Sequence, residues 1–423
     1  MSEKPRLHRA WLVLGVTFLT LIAAAAFRST TSALFEPLES HFGWTRTDTS
    51  LAITVNLLFY GLTAPFAAVF MERFTIRKTV IGALALIGAG TGLTIFMTEV
   101  WQLVLYWGVF VGLGTGALAL VFGAVVAARW FEKRRGLVTG IFSAAYATGQ
   151  LLFLPLIAHL VMHNGWQLGS LVVTALTLVI MPIFWFGFRE RPADVGLLPY
   201  GATEEKVDEP APRTVRETIS TLTAAFKVKA FWILAGTFFV CGWTTNGLIG
   251  AHFIPATHDH GMPATTAAGL LALVGVFDFI GTIASGWLTD RVDSRILLVF
   301  YYGLRGLALF TVPFVLGPTV EPPLMFFVVF YGLDWIATVP PTIALTRKYF
   351  GDARSGVVYG WIFASHMIGA AIAAGFAGII RDVQGDYFIA WITAAVLCLV
   401  AAGSFGFLRN SNQKWSHPGE SNS

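Results

Sequence analysis

Four charged residues lie within long apolar stretches of the sequence, where a charge is costly and usually functional. They are Arg28, Asp278, Arg305 and Asp334. A guanidinium that faces a water-filled cavity attracts anions, and its planar fork matches a carboxylate through two hydrogen bonds. A carboxyl group in a partly dry cavity holds its proton more firmly than in water, which suits a proton carrier. The four charges therefore predict a site for a small organic anion and a proton.

Arg28 is the residue expected to bind the anion, because it lies deep in the first apolar stretch. Two structural roles stay open for it. The side chain could reach the lipid interface, or it could pair with a carboxylate such as Glu36. Glu36 is two helical turns away, which disfavours a direct pair.

Asp278 is the residue expected to carry the proton, with Arg305 adjusting its charge. We expect Arg305 to contact Asp278 or Asp334, and a purely structural ion pair is the favoured role of that contact. One carboxylate is then left without a fixed partner. Asp334 shortly precedes Pro340–Pro341, and a proline pair removes two backbone donors and should bend its helix. This helix is a candidate moving part.

The elements that position these charges are predicted to be membrane-spanning helices. The chain has 423 residues, of which 56% are hydrophobic and only 12% charged, whereas a soluble domain has roughly 25% charged residues. A spanning helix needs about 20 mostly apolar residues. Twelve spans are predicted, at residues 10–36, 47–71, 79–98, 101–128, 136–162, 166–188, 230–256, 264–289, 294–316, 322–346, 355–380 and 386–408.

The basic residues predict how the spans are oriented. Of the 28 Lys and Arg residues, 24 fall on alternate gaps between spans, counting both termini. The positive-inside rule places these gaps, and therefore both termini, in the cytoplasm. The net charge of +4 does not indicate nucleic-acid binding, since these residues lie in short loops facing lipid headgroups. We expect an integral protein of a bacterial cytoplasmic membrane.

The chain divides into two similar halves. Residues 130–140 and 349–360 share an aromatic pair, basic residues and two glycines four apart, and the glycines repeat at an offset of 220 residues. Glu72–Arg73 and Asp290–Arg291 repeat at an offset of 218. Parallel six-helix repeats predict an all-α protein of two pseudo-symmetric bundles. The domains are predicted as residues 1–188, a cytoplasmic linker 189–229, residues 230–410 and a disordered tail 411–423.

The repeat also predicts which polar residues line a cavity between the halves. Tyr60 corresponds to Asp278, Tyr146 to His366, and Arg28 falls near Asn246. Equivalent positions should lie at similar depth on opposite walls. A single Tyr or His in a helical bundle is more often a packing residue, so the prediction depends on the set at matched depth. The predicted lining set is Arg28, Asn56, Tyr60, Tyr146, Gln150, Trp243, Asn246 and His366.

The chain resembles the major facilitator superfamily over nearly its whole length. The segment from Gly286 to Arg295 matches the family's loop pattern G-x-L-x-D-R-x-x-x-R, and a degraded copy follows span 2. In this family these loops are conformational latches. The resemblance therefore implies gating roles for Glu72, Arg73, Asp290 and Arg291.

A finer resemblance points to the branch of monocarboxylate porters and oxalate/formate exchangers. It is carried by Gly43-Trp44-Thr45-Arg46 and by the arginine in span 1. Monocarboxylate carriers have an Asp in span 8, which Asp278 matches, and often an Arg one turn later, where this chain has Thr282. The resemblance implies a monomeric, alternating-access transporter that couples a monocarboxylate to protons.

Two other functions stay open. The aromatic residues permit a proton-coupled exporter of hydrophobic or cationic compounds, although Arg28 argues against it. A non-transporting membrane sensor is the other alternative. His252, His258, Asp259 and His260 could suggest zinc, but a polar loop from His258 to Gly261 is the favoured interpretation. No motif predicts an enzyme or a cofactor.

Overall fold

A computed structural model describes residues 8–30, 34–203 and 214–408. Some helical residues within these ranges have side chains outside the described set, among them Arg28, Tyr146 and Gln150. The described part of the chain is helical, apart from loops and one isolated bridge between Phe131 and Tyr200. The predicted all-α membrane fold is confirmed.

The long helices follow the order expected for two six-helix bundles. Within the described residues, eleven are long and apolar enough to cross a membrane, and the helix at the fifth position contributes the shorter apolar stretch Leu152–Asn164. Spans 1 to 6 are Arg9–Thr30, Arg46–Phe74, Ile76–Thr94, Val100–Trp130, Arg135–Asn164 and Trp166–Gly187. Spans 7 to 12 are Lys229–Asp259, Ala264–Thr289, Ser294–Val315, Pro322–Phe350, Asp352–Gln384 and Phe388–Ser404.

Two shorter helices complete the architecture. Span 1 is shorter than predicted, and the end of its predicted range belongs to a separate helix, Phe35–Phe42. Gly43 ends this helix in the left-handed conformation with φ 70°. Span 2 then starts with a capping box in which Thr45 and Asp48 satisfy each other's backbone N–H groups. The linker helix Val215–Ala225 starts with a similar box at Thr214.

Each half has its own apolar core, and the halves meet where span 2 packs against span 11. Glycines allow the close approach. A Cβ on Gly61 would lie 2.3 Å from Cβ of Met367, and one on Gly378 would lie 2.4 Å from Oγ of Ser50. We call the end of the bundle where span 2 starts the Arg46 end. The opposite end, where span 3 starts, is the Arg77 end and the predicted cytoplasmic side.

Span 10 is broken in its middle. Its first segment ends at Asp334, residues 335–338 form turns, and helix resumes at Val339. The break therefore precedes the proline pair to which it was attributed. Pro340 and Pro341 lie in the first turn of the second segment. Backbone N–H groups in the first turn of a helix have no helical acceptor, so prolines, which lack this group, cost no hydrogen bond there.

Candidate functional site

One face of span 8 contacts the break in span 10. The carboxylate oxygen Oδ1 of Asp278 accepts hydrogen bonds from the backbone N–H of Ile336 at 2.9 Å and from the Thr282 hydroxyl at 3.0 Å. One turn further, Gly281 packs so closely that a Cβ would lie 1.8 Å from the Leu333 carbonyl oxygen. The Ser285 hydroxyl donates to the carbonyl of Ala337. Span 8 thus supplies partners for backbone groups that the broken helix leaves without helical ones.

Arg305 holds the other side of the break. Its Nε donates to Oδ2 of Asp334 at 2.6 Å, and Nη2 donates to the carbonyls of Asp334 and Trp335. The remaining Nη1 donates to the Cys241 sulfur at 3.1 Å and to the Thr244 hydroxyl at 3.4 Å. Arg305 is 1% exposed. The sequence predicts either Asp278 or Asp334 as the partner of Arg305, and the structure shows the ion pair with Asp334.

The three buried charges at this break do not cancel. Asp278 and Asp334 supply two carboxyl groups and Arg305 supplies one guanidinium, which leaves one negative charge when both are ionised. Oδ1 of Asp334 is buried without a hydrogen-bond partner in the described residues. Oδ2 of Asp278 likewise has no hydrogen bond there, and Asp278 keeps 8% of its surface exposed. A proton on this cluster would neutralise it.

Three of the predicted lining residues are connected by contacts that cross between the halves. The Nδ2 group of Asn246 is 3.0 Å from Nε2 of His366. The His366 ring stacks on Phe363 with centroids 5.8 Å apart, and Phe363 contacts Tyr60 at 6.0 Å. Span 2 is therefore connected to span 7 through span 11. Asn246 lies in a π-helical stretch, Trp243–Ile249, a feature frequent at functional sites.

Asn56 and Trp243, two further predicted lining residues, make other contacts. Asn56 donates to the Trp107 carbonyl at 2.8 Å, within the π-helical stretch Val104–Val111 of span 4. Trp243 packs against Phe376, with ring centroids 5.5 Å apart. The side chains of Arg28, Tyr146 and Gln150 lie outside the described set, so the anion-binding role of Arg28 stays a prediction.

The predicted gating residues are found at the Arg77 end. The guanidinium of Arg291 lies over the Trp287 ring at 4.1 Å and donates to the Trp287 carbonyl, so it folds back on its own span. Arg73 lies over the neighbouring Phe74 ring at 5.6 Å. Glu72 and Asp290 are exposed at the ends of spans 2 and 8.

A carboxylate that sequence reasoning did not select caps span 3. Glu190 follows span 6 and accepts from the backbone N–H groups of Ile76 at 3.0 Å and Arg77 at 2.7 Å. Its Oε2 is also 3.7 Å from the Arg129 guanidinium. A carboxylate stabilises a helix N-terminus through these amides and the helix dipole. The contact joins spans 3, 4 and 6 across more than 110 residues of sequence.

The Arg46 end holds a second network that sequence reasoning missed, and this one joins the two halves. Asp382 at the end of span 11 accepts from the backbone N–H groups of Arg46 at 3.2 Å and Thr47 at 2.7 Å. The Arg46 side chain pairs with Glu39 at 2.8 Å and donates to the Tyr387 hydroxyl at 3.2 Å. We call these five residues, together with His252, the Arg46 network.

His252 extends this network into the protein interior. It is completely buried, with Nε2 2.8 Å from the Ala374 carbonyl and Nδ1 3.2 Å from the Tyr387 hydroxyl. Since a carbonyl only accepts, Nε2 carries the proton and Nδ1 accepts from Tyr387. The Tyr387 oxygen then accepts from Arg46, so each donor has an acceptor. The buried histidine is therefore part of an inter-half contact. His258, also considered as a metal ligand, lies 3.3 Å from Glu36.

Comparisons with known proteins agree with this architecture. The chain is 24% identical to an uncharacterised MFS-type transporter, YcxA, of Bacillus subtilis, over 95% of this chain and 94% of that protein. It is 26% identical to monocarboxylate transporter 13 of Bos taurus, over 92% and 83%. The crystal structure of a D-xylose-proton symporter has the same fold, with a TM-score of 0.69 at 13% identity, covering 93% of this chain and 97% of that chain.

A bacterial homologue of the human lysosomal transporter Spinster, solved in an inward-facing and unoccupied conformation, has a TM-score of 0.71. It is 16% identical and covers 96% of this chain and 97% of that chain. The family model of the Major Facilitator Superfamily matches residues 16–374. The chain therefore belongs to the Major Facilitator Superfamily and is a membrane transporter, not an enzyme.

Proposed function

We propose that this transporter moves a small organic anion, a monocarboxylate, together with a proton by alternating access. Relatives named as monocarboxylate transporters cover more than nine tenths of this chain, which supports the substrate class. Arg28 of span 1 is the residue assigned to the substrate carboxylate, through a bidentate ion pair.

The observation that carries the proton coupling is the unbalanced charge at the break in span 10. Two carboxyl groups and one guanidinium are buried together, and a net charge in such a place costs several kcal/mol. Binding a proton removes this cost. Asp278 is the acceptor, because it forms no ion pair with the described residues, whereas Asp334 is paired with Arg305 at 2.6 Å. Arg305 holds Asp334 as a counter-ion.

The change of protonation would act on the conformation of span 10. The Asp278 carboxylate accepts from the backbone of Ile336, and a neutral carboxyl group accepts this bond less strongly. Loading a proton therefore loosens the contact between spans 8 and 10. The Arg46 network joins the halves at the predicted extracellular end.

Transport by proteoliposomes tests the proposal. A panel of radiolabelled monocarboxylates, dicarboxylates and organic cations is offered with and without an inward proton gradient. Accumulation of a monocarboxylate only with the gradient, and loss of its saturable uptake in Arg28→Gln but less in Arg28→Lys, is the expected result. Transport of organic cations that carboxylates do not inhibit would favour an exporter. Binding without counterflow would favour a sensor.

A further inference from the structure

A groove at the Arg77 end is separate from the site described above. It has a volume of about 540 Å³ and lies between the start of span 3 and the segment that follows span 6. Three cationic side chains, Arg77, Lys78 and Arg189, line it together with two carboxylates, Glu190 and Asp194. The balance of free donors and acceptors decides what the groove binds.

The carboxylates of the groove are committed to backbone amides. Glu190 uses both oxygens on the N–H groups of Ile76 and Arg77. Asp194 accepts from the backbone N–H of Arg191 at 3.0 Å. The N-terminus of span 3 is thus capped by the protein itself. The amides of this N-terminus are therefore not the proposed ligand donors. The carboxylates of Glu190 and Asp194 both accept hydrogen bonds from backbone N–H groups.

The cations of the groove keep unused donors. Arg189 donates through Nη1 to the carbonyls of Phe186 and Phe188, at 3.0 and 2.9 Å. Arg77 donates through Nη2 to Phe188 at 2.7 Å. The Nε and Nη2 groups of Arg189, Nη1 of Arg77 and the exposed ammonium of Lys78 make no hydrogen bond to the described residues. Arg77, Lys78 and Arg189 line the same groove, so their unused donors can serve one oxyanion through several hydrogen bonds.

The aromatic residues of the groove place it at the surface of the membrane. Trp185 and Phe186, in the last turn of span 6, are 41% and 73% exposed. Arg77 lies over the Trp185 ring at 5.4 Å. Tryptophan next to basic residues at the end of a spanning helix is typical of the headgroup level. A ligand here can carry acyl chains along the apolar face of span 6 and an anionic head in the groove.

We propose that this groove binds a phosphate group. A phosphodiester of an anionic phospholipid and a free phosphate share this chemistry. Such a site would sense membrane composition at the contact between spans 3 and 6, within one half of the transporter. It involves none of the residues assigned to substrate or proton.

The test uses the full chain, purified in detergent and stripped of lipid. Its melting temperature is measured during titration with phosphatidylglycerol, with phosphatidylcholine of the same acyl chains and with inorganic phosphate. Lys78→Gln and Lys78→Glu are the test variants, because the Lys78 side chain is exposed and its loss should leave the fold intact. Lys348→Gln removes an exposed cation from the same end of the bundle, outside the groove, and serves as the matched control.

Phosphatidylglycerol should raise the melting temperature of the wild type and the control equally. Half-maximal stabilisation should need about fivefold more lipid in Lys78→Gln, and still more in Lys78→Glu, since one basic residue near an anionic surface contributes about this factor. Stabilisation by inorganic phosphate as well would identify free phosphate as a source of the ligand. Absence of any stabilisation, or stabilisation unchanged in both Lys78 variants, would overturn the proposal.

Discussion

The carboxylate of Asp278 and the backbone N–H of Ile336 are 2.9 Å apart, across the contact between spans 8 and 10. The two residues are separated by 58 positions in sequence, and the bond forms where span 10 has lost its helical hydrogen bonds. The ionisable side chain of Asp278 therefore binds a backbone group at the break in span 10, and Arg305 binds another backbone group of the same break from the opposite side. A change in the charge of one residue acts directly on the geometry of a spanning helix.

Asp278→Asn should separate proton coupling from transport. The asparagine oxygen still accepts from Ile336, so the fold is kept, but the side chain no longer takes up a proton. Accumulation driven by a proton gradient should fall by at least about tenfold, the factor that 1.4 kcal/mol represents. Exchange of substrate at equal concentrations should change much less. Gradient-driven uptake at the wild-type rate would contradict the assignment.

Breaking the ion pair between Arg305 and Asp334 should destabilise the protein strongly. Asp334→Asn leaves a buried guanidinium without its counter-ion, and such changes cost about 3–5 kcal/mol. The double variant Arg305→Met with Asp334→Leu removes both charges and should recover much of the loss. Thermal unfolding in detergent of the wild type, Arg305→Met, Asp334→Leu and the double variant completes a double-mutant cycle. Additive losses would show that the pair contributes no coupling energy.

Gly281→Ala should disturb the packing of span 8 against span 10. The added Cβ would lie 1.8 Å from the Leu333 carbonyl oxygen, so the helices must separate. Overpacking of this kind costs about 1–3 kcal/mol. Gly286→Ala is the matched control on the same span, since a Cβ there meets nothing within 4 Å. Equal melting temperatures for the two variants would argue against close packing at Gly281.

Asp382→Asn should loosen the halves at the Arg46 end. Asparagine lacks the charge that strengthens the hydrogen bonds from Arg46 and Thr47. A loss of about 1.5 kcal/mol in the free energy of the contact between the halves would raise the ratio of open to closed forms roughly tenfold. Spin labels at positions 163 and 260, one in each half, report the separation by pulsed electron resonance. Asp386→Asn is the control, because the hydrogen bond of Asp386 within the described residues comes from the backbone N–H of Phe388 in its own half. Unchanged distances in Asp382→Asn would exclude this role.

The contribution of Asp293 to stability should depend on pH. Hydrogen bonds from Arg295 lower the pKa of Asp293 to about 2, from an ordinary value of 3.8. Because the folded-state pKa is the lower one, the stabilisation is complete above the ordinary value and disappears as the pH falls towards 2. Asp293→Asn should therefore lower the melting temperature at pH 7, and the difference should shrink between pH 5 and 3. A constant difference would contradict this account.

Much of the fold was predictable because it depends on local composition. Runs of apolar residues long enough to cross a membrane can satisfy their backbone only as helices, which determines the number and order of the spans. The repeated loops around Glu72 and Asp290 indicated two related halves. The proline pair predicts a break at residues 340–341, whereas the helix is interrupted at residues 335–338. The structure instead shows Asp278 and Arg305 binding the freed backbone groups.

The sequence by itself determined which charges must be buried, since Asp278, Arg305 and Asp334 lie within apolar spans whatever their neighbours are. Only the tertiary structure decided their partners: Asp334 for Arg305, and the backbone of Ile336 for Asp278. It also revealed the roles of Arg46 and Glu190, which the sequence places in gaps between spans, and of His252, which it places within span 7. Each of them has a partner more than 110 residues away, as in the contacts of Arg46 with Asp382 and of Glu190 with Arg77. Composition and periodicity describe one helix at a time, whereas these contacts exist only after the helices have packed.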